Sequence, residues 1–191
     1  MQDLRTMNTP EISKPALASE SPVLTRRRLL QLGAGAAAVL VVAGGAAALW
    51  RSGLREGQLT ASGRDVFRAI ALGVLDGSLP PEEPARTRAI DAHLQRLDLT
   101  LAGLSSTAQS ELSQLLAVLN LAAGRRFITT LPMSWSEASV DDVQVALRHM
   151  RQSTRETTLQ TYHALRDLTN SAYFCAPETW AAMGYPGPTD I

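Results

Sequence analysis

A chain of 191 residues that is 45% hydrophobic and 19% charged has the composition of one globular domain, with room for a processed leader. Its 18 basic residues balance its 18 acidic ones, so no electrostatic case exists for nucleic acid as a partner. The single cysteine, Cys175, excludes an intrachain disulfide, a CxxC redox pair, a CxxCH haem attachment and a multi-cysteine zinc site. It reads either as a small buried apolar residue or, in an exported chain, as an intersubunit thiol.

In chain order, the first segment is polar and broken by Pro10, Pro15 and Pro22, a composition that predicts disorder. Thr25-Arg26-Arg27-Arg28-Leu29-Leu30 then fits the twin-arginine export pattern, with Arg26 and Arg27 as the pair that a receptor reads. The charge-free run from Leu29 to Trp50 has 22 residues, a length that also suits a membrane-spanning helix. Twelve of these are Ala or Gly, so the run is weakly apolar, and it contains an Ala46-Ala47-Ala48 cleavage pattern. The reading is a leader over residues 1–48, either cleaved or retained as an inner-membrane anchor, before a helical domain over 49–191. A soluble core helix is the poorest account of this run, because Gly33, Gly35, Gly44 and Gly45 would each weaken it. The twin-arginine route carries cargo that is already folded, which points to the bacterial periplasm and to a chain that travels with a partner or a cofactor.

The mature region predicts an all-α domain of about five helices without strands. Ser62 to Asp65 has capping-box spacing ahead of Val66, Phe67, Ile70 and Val74, with Asp76-Gly77 as the stop. Pro84 opens a second helix bearing Ile90, Leu94 and Leu97. Ser106 to Gln109 caps a third, with Leu112, Leu115, Leu116 and Leu119 ahead of Gly124. Beyond Pro132, Ser139 to Asp142 caps a fourth, and a long fifth runs from about Arg155 to Phe174. A short helical turn over Pro177 to Met183 precedes an irregular tail.

The sequence carries no pattern of catalytic residues. His93, His149 and His163 have no metal-ligand spacing, and each reads as a surface or capping residue. Asp141-Asp142 reads as compensation of a helix dipole, Glu82-Glu83 as a solvated linker, and Arg125-Arg126 as a solvated helix end. There is no nucleophile elbow and no phosphate-binding glycine loop. The C-terminal segment differs. Tyr173, Phe174, Trp180 and Tyr185 place four aromatics within 13 residues of a chain that is only 5% aromatic. Such a cluster either closes the domain's own core or anchors a partner.

These residues carry a resemblance. The ending "AYFCAPETWAAMGYPGP", with Tyr173-Phe174, Pro177-Glu178, Trp180 and Gly184 to Pro188, resembles gluconate 2-dehydrogenase subunit 3, the small subunit of membrane-associated flavin dehydrogenases. "FRAIALGVLDGSLP", Phe67 to Pro80, is a weaker match, and the twin-arginine leader and helical content agree with it. The resemblance implies a subunit without catalytic, cofactor-binding or metal residues of its own. It would bind a glucose-methanol-choline type flavoprotein carrying FAD, help it fold, and take it through the twin-arginine translocase as a hitchhiker. A c-type cytochrome subunit would complete the complex. The competing reading is a helical binding or structural protein tethered by an uncleaved N-terminal helix.

Overall fold

The computed structural model describes residues 52–187. The arginine pair Arg26-Arg27, the apolar run and the cleavage pattern lie outside the described residues. Within them the chain is all-α, with six helices and one two-stranded hairpin.

The hairpin comes first. β1 (Leu54–Arg55) pairs antiparallel with β2 (Gln58–Leu59) across Glu56 and Gly57, whose φ values of 53° and 78° are the positive angles a type I′ turn needs. Strands of two residues are too short to leave an alternating pattern, so the sequence did not announce them. Leu54 and Leu59 face each other and are buried. The Leu54 amide donates to Ser113 Oγ at 3.2 Å and the Leu59 amide to Asp98 Oδ1 at 2.8 Å, fastening the hairpin to two later helices.

α1 (Ala61–Val74) is the centre of the molecule, with Val66, Phe67, Ile70 and Ala71 fully buried. It packs against α2 (Glu83–Ala102), α3 (Ser106–Asn120), α5 (Val140–Arg151) and α6 (Glu156–Phe174). Its cap differs from the sequence expectation. Thr60, not Ser62, accepts the Gly63 amide at 3.3 Å, while its own hydroxyl donates to the Ser52 carbonyl at 2.9 Å. Ser62 falls inside the first turn. An Arg64–Asp98 ion pair joins α1 to α2.

α2 starts as expected, with Pro84 in its first turn and Ile90, Leu94, Leu97 and Leu101 buried. Ser105, one residue earlier than expected, caps α3. The chain then departs from the expected five helices. Leu121 adopts an extended conformation with ψ of 132°, and a separate short helix, α4 (Ala122–Thr129), turns away. Gly124 is required at this corner, because a Cβ there would lie 2.3 Å from the Val118 carbonyl oxygen. Arg125 corrects a second expectation. It is 6% exposed rather than solvated, with Nη1 donating to the Asn120 carbonyl at 3.2 Å, and burial lowers its pKa.

Trp135 anchors the following linker by donating from Nε1 to the Leu119 carbonyl at 2.9 Å. α5 carries the expected capping box: Ser139 Oγ accepts the Asp142 amide while the Asp142 carboxylate accepts the Ser139 amide. α6 closes the bundle and leads into two 3₁₀ turns, Pro177–Thr179 and Ala181–Met183.

Candidate functional site

The aromatic segment is built outward from the end of α6. Tyr173 faces inward at 4% exposure, and its hydroxyl donates to the Ser78 carbonyl at 2.9 Å. Its ring meets Phe174 edge-on at 5.1 Å and His93 at 6.1 Å. Burial raises the Tyr173 pKa, opposed by the neighbouring Arg96. Tyr173 is thus spent on the domain's own core, so it is not available as the surface anchor that the sequence reading allowed.

Beyond Cys175 the backbone reverses. Ala176 is extended and buried, Pro177 opens the first 3₁₀ turn, and the Thr179 hydroxyl donates to the Ala176 carbonyl at 2.7 Å. Trp180 Nε1 then reaches back to the Phe174 carbonyl at 2.9 Å, fixing the indole across the turn. Gly184, with φ of 71°, ends the second turn in the left-handed conformation and lets the Tyr185 amide bond the Trp180 carbonyl at 3.0 Å. The two rings meet edge-to-face at 5.4 Å and 63°. Trp180 is half-buried, whereas Tyr185 and Met183 are each 48% exposed. Together with Pro177, Pro186 and Gly187 the pair lines an open depression of about 560 Å³.

Arg96 clasps this segment to α2. Its Nε donates to the Ala172 carbonyl at 2.9 Å and its Nη1 to Glu178 at 3.2 Å. Sequence reasoning missed it, since a lone arginine on a helix carries no local signal. The bond spans 76 residues, so only the packing of α2 on α6 reveals it. Cys175 is exposed, with Sγ 3.5 Å from the Ala172 carbonyl.

His93 overturns the surface expectation. It is fully buried, with neither ring nitrogen hydrogen-bonded among the described residues. Burial, reinforced by the Arg96 charge, lowers its pKa to about 4 and keeps the imidazole neutral. His149 and His163 are exposed as expected. Asp142 is held below the usual carboxylate range by its capping bonds to Ser139, which accounts for that acidic position structurally. Glu82 and Glu83 begin α2, where Glu83 pairs with Arg86 at 3.0 Å. Among the described residues no group of three or more His, Cys, Asp or Glu side chains is placed to hold a metal ion, and no helix is long and apolar enough to cross a membrane.

The fold and this segment together define a small all-helical domain with an aromatic ledge at its C-terminal end. No family model matches the chain, and no curated protein or solved structure is significantly similar to it.

Proposed function

We propose that the chain is a non-catalytic accessory subunit that binds a glucose-methanol-choline type flavoprotein, supports its folding around FAD and co-exports it through the twin-arginine translocase. The observation carrying this reading is the Trp180–Tyr185 ledge. A rigid aromatic pair, hydrogen-bonded at its base and exposed at its tip, is costly to leave in water and suits the centre of a protein interface. The resemblance of the same residues to gluconate 2-dehydrogenase subunit 3 supplies the identity of the partner. In this reading the exposed Cys175 serves as an intersubunit thiol, and a c-type cytochrome subunit joins the exported complex in the periplasm.

The test uses the arginine pair. A tagged chain purified from its native host should bring a flavoprotein with it. Arg26→Lys with Arg27→Lys should hold both proteins in the cytoplasm, because an ammonium cannot reproduce the planar donor fork of a guanidinium. Normal periplasmic amounts in the double variant, or a tagged chain that brings no flavoprotein, would refute the proposal.

A further inference from the structure

A second depression, of about 300 Å³, lies where α5 and α6 meet the end of α1. Gln144, Arg148 and Arg151 follow one another at i, i+4 and i+7 along α5, and Tyr162, Arg166 and Asn170 at i, i+4 and i+8 along α6. Each set therefore forms a single stripe on its helix. The two stripes line the same depression, whose apolar lining comes from Leu147, Val74 and Gly73. The helices can approach closely here, since a Cβ on Gly73 would lie 2.8 Å from Val143.

We propose that this groove binds a phosphate group. Three guanidiniums, two carboxamides and a phenol line it, and no carboxylate does. Among the described residues neither Arg148 nor Arg151 forms a salt bridge; Arg166 has only its chain neighbour Asp167, at 3.5 Å with both side chains about 45% exposed. Asp76, which the groove's Gln144 reaches, already accepts from Gln144 Nε2 at 3.0 Å. Compensation of the α5 dipole explains basic residues in its last turn. It does not explain Arg166, which stands in the middle of α6 and faces the same space. Three planar donor forks offer more N–H groups than the two oxygens of a carboxylate can accept. A phosphate monoester, with three oxygens and up to two charges, matches that donor set better.

The experiment titrates the full chain with inorganic phosphate at constant ionic strength, using chloride as the reference anion and following backbone amide shifts. The expected result is saturable binding that chloride does not reproduce. Arg148→Gln with Arg166→Gln should weaken it at least about tenfold, while the charge-matched Arg55→Gln with Arg88→Gln should leave it unchanged. Arg166→Lys keeps the charge but loses the fork, and should weaken binding several-fold in a chain whose helicity is unaltered. Competition by phosphatidylglycerol vesicles, with phosphatidylcholine vesicles inert, would assign the phosphate to a lipid headgroup; its absence would assign it to a soluble ligand. Phosphate binding no tighter than chloride, or equal losses in the groove and control variants, would overturn the site.

Discussion

His93 shows how much one residue's environment can decide. A histidine at full burial with two unpaired nitrogens must stay neutral, because a charged ring there would have neither water nor an acceptor. The unfolded chain protonates this ring near pH 6.5, whereas the folded protein holds out to about pH 4. Between those values the unfolded state binds more protons, so stability is complete above pH 6.5 and falls as the pH drops towards 4. The loss totals about 3 kcal/mol and levels off below the folded value. Glu137 and Asp142, both held below their ordinary range by bonds to neighbouring serines, remain ionised between pH 5 and 7 and leave that window to the histidine. Glu111, raised by burial, shifts stability in the opposite direction, so the comparison must be between proteins that both contain it. His93→Leu should be neutral or stabilising at pH 7, since it removes two unsatisfied polar atoms, and should flatten the decline between pH 6.5 and 5. Urea unfolding of both proteins at several pH values measures this. An equally steep decline in the variant would show that the proton goes elsewhere.

Helix existence was legible in the apolar stripes, and helix boundaries were legible only where the cap was local. Ser139 to Asp142 caps α5 as its spacing suggests, and Pro84 opens α2, because both signals act within one turn. At α1 the same spacing over Ser62 to Asp65 pointed two residues too late. Thr60 won because its hydroxyl also reaches the Ser52 and Gly53 carbonyls just ahead of the hairpin, seven and eight residues back and so beyond the one-turn spacing that a cap pattern reads. Past the end of α3 the sequence was read only in part: Gly124 marked the end of the third helix, but it lies inside the further helix α4, where the lack of a Cβ permits its close approach to Val118. The aromatic segment was legible as a cluster, but its division into inward and outward rings was not, since that depends on where α2 lies. The caps give a direct comparison. Thr60→Ala should cost about 1–2 kcal/mol of unfolding free energy, whereas Ser62→Ala should stay within about 0.5 kcal/mol. Chemical denaturation of the two variants decides between the caps, and a larger cost at Ser62 would restore the boundary suggested by its spacing.

At the scale of the molecule, one aromatic-rich segment serves two ends. Tyr173 closes the bundle against α2 and the Ser78 carbonyl, and Arg96 ties the turn that follows to the same helix. That clasp holds the ledge of Trp180 and Tyr185 in place without a partner, so binding need not order the segment first, and less affinity is lost to entropy. The arrangement separates folding from association by residue. Tyr173→Ala should remove about 3–5 kcal/mol of folding stability, as truncation of a buried aromatic does. Tyr185→Ala removes a ring that is 48% exposed and should change stability by no more than about 0.5 kcal/mol. If the ledge anchors the flavoprotein, that same substitution should cost about 2 kcal/mol or more of association, roughly a thirtyfold loss of affinity. Trp180→Ala, which also loses the bond to the Phe174 carbonyl, should show both defects in part. Thermal melting of each variant alone, beside copurification when both proteins are expressed, resolves the three patterns. A Tyr185→Ala protein that melts normally and still retains the flavoprotein would move the interface from the ledge to the helix faces.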